Sequence, residues 1–217
     1  MKGEKDEKKY FMLASCAMLL SVSSIAYSAE GPYVSGNLGL AIANDSDLSD
    51  PSGTGTIEFD KGLAFGVAAG YGFGNTRVEG EIAYQKNDYD KLSLSAPGVG
   101  SFSGLNVDGH ATSTAFLLNG YYFFKNNSSI TPFIGAGLGF ANIDVSDISV
   151  PGIGALTSSS DDTVFAYQIG TGVGFAVNEK VTLDLKYRYF ATSDPNFEGT
   201  DAEYSSHNIY ACVRVGF

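Results

Sequence analysis

The sequence predicts an all-β protein: an eight-stranded antiparallel up-and-down transmembrane β-barrel with long extracellular loops and short periplasmic turns. Three observations predict it. Apolar residues alternate with small or polar ones at period two over ten or more residues, which means long strands. The connections between these stretches alternate between short and long, as in transmembrane barrels. The chain also opens on an export-type segment and ends on an alternating strand that finishes at Phe217.

Composition agrees with that class. At 217 residues the chain fits one large domain, with 44% hydrophobic and only 17% charged residues. Soluble domains average about 25% charged. The aromatic content and long periodic segments exclude a disordered chain. A net charge of −11 argues against nucleic acid, because phosphate binding needs clustered Lys and Arg. Beyond the N-terminus no apolar run is long enough for a membrane-spanning helix.

The first 28 residues read as a signal peptide. Lys2, Lys5, Lys8 and Lys9 form a basic start, diluted by Glu4, Asp6 and Glu7. Tyr10 to Ala26 is apolar or small throughout, and Ala26-Tyr27-Ser28 fits a small-x-small cleavage site. Leu13-Ala14-Ser15-Cys16 also matches a lipobox, but most of the apolar run follows Cys16, which favours ordinary cleavage. The barrel domain then covers 29–217. Removing four lysines and three acids leaves 21 acids against nine bases, a net of −12. Cys212 remains alone, so the exported fold must do without an intrachain disulfide.

Eight alternating segments follow, at about 32–42, 62–74, 76–86, 111–124, 129–142, 163–177, 181–192 and 207–217. A tilted strand needs roughly 9–11 residues to cross a bilayer, whereas globular strands peak near five or six. Short turns fall at Asn75, at Lys125 to Ser128 and at Asn178 to Lys180. Long polar connections fill 43–61, 87–110, 143–162 and 193–206. An even strand count puts both termini on the short-turn, periplasmic side. Leu94 to Gly100 and Ile148 to Gly154 echo each other around Pro97-Gly98 and Pro151-Gly152. Proline followed by glycine suits a type II turn, so each loop is expected to be a hairpin prolonging its strands.

Several residue patterns invite chemical readings. Gly135-Ala136-Gly137-Leu138-Gly139 and Gly170-Thr171-Gly172-Val173-Gly174 look like phosphate fingerprints, but no helical period follows either. Their glycines take alternate strand positions and are expected to make room for larger side chains across a narrow lumen. Period two places Arg77, Glu79, Glu81, Asp184, Lys186, Arg188 and Arg214 on the inward face. A lipid-facing Arg or Lys at mid-membrane would cost about 2–4 kcal/mol. The third and seventh strands lie opposite each other in an eight-strand ring, whose interior is just wide enough for side chains to fill. Glu79 and Glu81 are thus expected to reach toward Lys186 and Arg188, closing the lumen with paired charges. A gated or ion-conducting lumen is the rival reading.

Ser205, Ser206, His207 and Glu203 suggest a lipid hydrolase, a remote alternative. A nucleophile needs a base within reach and a group to orient it, and the His-x-Ser pairing of some eight-stranded deacylases is missing here, because Asn208 and Ile209 follow His207. The long loops hold 16 of the 21 remaining acids against Lys61 and Lys91. Calcium coordination at Asp45/Asp47/Asp50 or Asp161/Asp162 is conceivable, but no EF-hand spacing accompanies it. A solvated, mutually repelling surface is the simpler reading. No metal, cofactor or catalytic residue is therefore assigned.

The C-terminal run Ile209, Ala211, Val213, Val215, Phe217 looks like the terminal-strand signal read by the barrel assembly machinery. Gly31 to Gly39, Pro132 to Gly139, Leu185-Lys186-Tyr187-Arg188-Tyr189 and Val213-Arg214-Val215-Gly216-Phe217 resemble the porin-family, opacity-type surface-antigen barrels. These are related to the barrel domain of outer-membrane protein A-like proteins. The resemblance spans essentially all of 29–217 and specifies architecture rather than activity. It implies a Gram-negative outer-membrane location and a noncatalytic, structural or adhesin-like role in the envelope, with a small-solute channel as the alternative. Its implied partners are outer-membrane lipid and lipopolysaccharide, the assembly machinery during biogenesis, and an extracellular ligand at the four long loops.

Overall fold

The computed structural model describes residues 30–50, 53–96, 100–126, 128–150, 154–155, 159–197 and 200–217. The export segment, the lipobox alternative and the two Pro-Gly turns lie outside the described residues. Among the described residues fifteen strands follow in chain order: β1 (Glu30–Ala43), β2 (Ser46–Asp50), β3 (Gly53–Phe59), β4 (Gly62–Phe73) and β5 (Thr76–Ala96). Then come β6 (Gly100–Asn106), β7 (His110–Phe123), β8 (Ile130–Val145), β9 (Ser149–Val150) and β10 (Gly154–Ala155). The last are β11 (Ser160–Ala176), β12 (Val181–Thr192), β13 (Asn196–Phe197), β14 (Thr200–Ala202) and β15 (Ser205–Gly216).

Eight of these form the barrel. Around the ring they run β1, β4, β5, β7, β8, β11, β12, β15, each antiparallel to its neighbours. The ring closes where β15 pairs back onto β1, from Tyr33 opposite Gly216 to Ala43 opposite Ser206. Closure matters because lipid offers no partner for an unpaired backbone N–H or C=O.

Period two is visible on both faces. Leu38, Leu63, Val67 and Phe140 are each more than 60% exposed on the outside. In a water-soluble protein such a continuous apolar belt would be an aggregation hazard; in a bilayer it is the solvated surface. Aromatic rings edge the belt at both ends. Tyr71 and Phe73 pack together at the periplasmic side, as do Tyr122 and Phe124. Phe65 pairs with Tyr84 toward the other rim, and Phe140 with Phe165. Such girdles sit at membrane interfaces.

On the inner wall, the glycines flagged in β8 and β11 give room to large side chains. A methyl group on Gly137 would overlap Asn119, one on Gly135 would overlap Tyr121, and one on Gly172 would sit 2.5 Å from the Phe133 ring. The lumen is filled because its wall is locally bare.

Above the membrane the fold exceeds the expected loops. β5 continues to Ala96 and pairs there with β3 on one side and β6 on the other. β2 joins β3, β14 joins β2 and β13 joins β14, giving a six-stranded extracellular sheet. The 87–110 segment is thus a strand-prolonging hairpin, whereas 43–61 and 193–206 carry strands that polar composition had concealed. The reason is an apolar cap. Ile57, Leu92, Val107 and Ile148 turn inward from these segments and pack with Tyr89, Phe190 and Tyr204 over the barrel's upper mouth.

The glycine requirement is testable. Gly137→Val should lower unfolding stability in detergent by about 1–3 kcal/mol, the usual cost of overpacking. Gly120→Ala faces open space and should be nearly silent. Urea titration followed by heat-modifiable gel mobility measures both.

Candidate functional site

The lumen is the most elaborate polar arrangement in the chain. Arg77, Glu79 and Glu81 project inward from β5, with Asp184, Lys186 and Arg188 across from them on β12 and Arg214 on β15. All seven are less than a tenth exposed. They are the buried charged side chains among the described residues.

The middle layer is built on Glu81. Its Oε1 accepts from Arg188 Nη1 at 3.0 Å and from Asn37 Nδ2 at 3.2 Å. Its Oε2 accepts from Asn119 Nδ2 at 2.7 Å and from Gln168 Nε2 at 3.4 Å. Gln168 Nε2 also donates to Asn119 Oδ1 at 2.6 Å, which orients both amides. Arg188 donates with its other nitrogen to the Tyr210 hydroxyl, and its guanidinium lies 4.5 Å from the centroid of that ring. This carboxylate, buried but met by four donors, satisfies the rule that buried charge must be paired and hydrogen-bonded.

The layer below is arranged differently. Glu79 receives the hydroxyls of Tyr33 and Tyr121, each at 2.9 Å, and the Asn119 amide at 3.3 Å. Arg214 Nη1 reaches Asp184 Oδ2 at 2.8 Å. Arg77 stacks 4.1 Å from the Phe123 centroid and 5.6 Å from that of Tyr33. Lys186 sits between the Tyr121 and Tyr210 rings, at 5.8 and 5.6 Å from their centroids. Of the expected reaches across the lumen, Arg188 to Glu81 is formed; Lys186 instead faces aromatic rings, and Glu79 takes neutral donors.

A third layer caps the charges. Gln85 Nε2 donates to the Tyr204 hydroxyl at 2.7 Å and to Ser206 Oγ at 3.1 Å, and Asn208 Nδ2 also donates to Ser206 Oγ at 3.1 Å. Tyr204 and Tyr89 lie above the membrane belt, where burial pushes both hydroxyls up and keeps them protonated. The apolar cap begins here. The uncharged partners Tyr33, Asn37, Asn119, Tyr121, Gln168 and Tyr210 were not singled out from sequence, although the same period-two parity marks them as inward.

The hydrolase reading finds its residues on opposite faces. Ser206 points inward to Gln85, whereas His207 faces outward, its Nδ1 2.7 Å from the Tyr187 hydroxyl. Ser205 Oγ accepts from Asn44 Nδ2 at 2.8 Å. For calcium, Asp161 Oδ2 accepts from Asn142 Nδ2 at 3.0 Å and Asp162 Oδ2 from the Asn196 amide at 2.9 Å. Among the described residues no three acidic, histidine or cysteine side chains converge on one point. The side chains of Asp47 and Asp50 lie outside the described ones. Phe217 is 71% exposed at the periplasmic rim, its amide donating to the Pro32 carbonyl at 3.1 Å.

Comparison with known proteins agrees with this architecture. The family described as "Outer membrane protein beta-barrel domain" matches residues 12–217. The chain belongs to that family. As a member of this outer-membrane barrel family it resides in the outer membrane of a Gram-negative bacterium. It is similar to the outer membrane protein PagN of Salmonella typhimurium, at 27% identity over 94% of this chain and 92% of PagN. A candidate adhesin of Rickettsia conorii is 30% identical over 93% of this chain and 90% of its own. Among solved structures, Neisserial surface protein A superposes with a TM-score of 0.53 at 23% identity, covering 89% of this chain and all of that one. That likeness is one of fold.

The Glu81–Arg188 pair supports a direct test. Arg188→Ala leaves a buried carboxylate without its cation and should destabilise the barrel by about 3–5 kcal/mol. The double variant Glu81→Gln/Arg188→Met removes both charges and should recover most of that loss. Urea midpoints of the three proteins in one detergent measure the difference.

Proposed function

We propose that this outer-membrane barrel is a noncatalytic, adhesin-like surface protein. The observation that carries the reading is the six-stranded extracellular sheet, a folded platform standing on a barrel whose lumen is filled. Binding residues concentrate on loops held by rigid scaffolds, and here the described parts of the loop segments 43–61, 87–110, 143–162 and 193–206 stand above the membrane. Their acidity favours a partner with a basic surface. The Rickettsia conorii relative named as a candidate adhesin supports the same reading. The outward residues meet outer-membrane lipid, and lipopolysaccharide on the extracellular side.

The channel alternative would use the lumen, which two obstacles fill in series: the Glu81–Arg188 layer and the apolar cap above it. The hydrolase alternative would need Ser206 and His207 on one face. The assembly machinery is the expected biogenesis partner, reading β15 through Phe217.

Two measurements bear on this. Cells displaying the protein should adhere to host-cell or matrix-coated surfaces, and shortening the 92–106 hairpin should cut adhesion several-fold while leaving the barrel heat-modifiable. Unchanged adhesion in hairpin variants across all four loop segments would overturn the reading. Deleting Phe217 should reduce folded barrel in the outer membrane while export continues; normal folded levels would remove the role given to Phe217.

A further inference from the structure

Side chains of the lower lumen do not satisfy one another completely. Arg214 bonds Asp184 through Nη1 and Oδ2, at 2.8 Å. The other atoms of that pair are left over: Arg214 Nη2 is a buried donor that meets no acceptor among the described residues, and Asp184 Oδ1 a buried acceptor that meets no donor. Asn37 Oδ1 and, nearer the periplasm, Glu179 Oε1 are buried acceptors in the same position. A buried polar atom left unmatched costs free energy, and native interiors supply water where side chains do not reach.

Room for water lies beside these atoms. Asn37, Asp184 and Arg214 help line a cavity of about 20 Å³ below the Glu81 layer. Arg214 and Glu179 help line a second cavity of about 20 Å³ at the periplasmic mouth, which reaches Lys180 and Phe217. A water needs about 10–15 Å³, so each cavity takes one and neither takes a larger solute. The charges around them are mixed. Arg77, Lys186 and Arg214 stand with Glu79 and Asp184 around the upper cavity, and Arg77, Lys180 and Arg214 with Glu30 and Glu179 around the lower. Walls of both signs favour neither an anion nor a cation. A water both donates and accepts, which suits unmatched acceptors grouped around an unmatched donor.

We propose that the lower lumen is a hydrated well with two water sites. One water joins Asn37 Oδ1 and Asp184 Oδ1 to Arg214 Nη2. The second joins Arg214 Nη2, which carries two hydrogens, to Glu179 Oε1 at the mouth. The Glu81–Arg188 layer ends the well above, so water enters from the periplasm and stops beneath that pair. The lumen is thereby sided: hydrated toward the periplasm and closed toward the extracellular sheet, whatever that sheet binds.

Cys212 reports on the well. It lines the upper cavity, sits opposite Asp184 across β12 and β15, and is the free cysteine among the described residues. Its S–H infrared band is identified by its loss in Cys212→Ala. In the folded barrel that band should shift to S–D within minutes of transfer into D2O, while the strand amides stay protonated for hours. Ser35→Val fills the same cavity from β1 and should slow the shift about tenfold or more, because exchange then waits on local opening. A thiol that exchanges no faster than the strand amides, or an unchanged rate in Ser35→Val, would overturn the proposal. If Ser35→Val does not fold, crystals of the unaltered barrel decide. They should show density at hydrogen-bonding distance from both Asp184 Oδ1 and Arg214 Nη2, and again from Glu179 Oε1, with no anomalous peak there after bromide or rubidium soaks. An anomalous peak at either site, or no density at both, would overturn it.

Discussion

A charged group inside an eight-strand barrel has left bulk water and has little space in which to find another partner. That constraint organises the lumen of this protein. Seven charged side chains come from only three strands, β5, β12 and β15, and the neutral amides and hydroxyls of the other strands are arranged around them. Asn119 bonds two carboxylates at once, and the hydroxyls of Tyr33 and Tyr121 donate to Glu79. Such pairing does not make a buried ion pair a net source of stability, since desolvation offsets much of the attraction. It makes each partner expensive to lose.

The wall answers the same constraint from outside. Lipid demands apolar side chains outward and a closed hydrogen-bonded ring, so polarity can only be turned inward. The lumen must then be both polar and full. Gly135, Gly137 and Gly172 provide the depth into which Tyr121, Asn119 and Phe133 fit. At the upper mouth the solution changes, and apolar residues from extracellular strands replace polar ones as filling. Ile57, Leu92, Val107 and Ile148 tie the extracellular sheet to the barrel, which gives a surface platform a rigid base.

Which face a residue takes was legible in the sequence; the height at which it meets its opposite was not. Period two alone put Arg77, Glu79, Glu81, Asp184, Lys186, Arg188 and Arg214 inside. It could not pair them, because strand tilt and stagger set the level of each residue around the ring. Hence Arg188 meets Glu81 as expected, while Lys186 lies between Tyr121 and Tyr210 and Arg214 turns to Asp184. The neutral members Asn37, Asn119 and Gln168 share the inward parity but carry no charge that would make burial costly on the lipid side, so nothing in the sequence sets them apart from other inward residues. The extracellular strands were hidden for a different reason. Acidic and small residues dominate 43–61, and a few inward apolar positions such as Ile57 carry its strand character.

These features converge on a barrel that serves as a support, with its interior committed to packing and its outer sheet left for contact. Occlusion of the lumen is the central claim, and planar-bilayer recording of the purified, folded protein tests it most directly. The account predicts negligible steady conductance in symmetric salt. A large, stable conductance from the unaltered protein would contradict it.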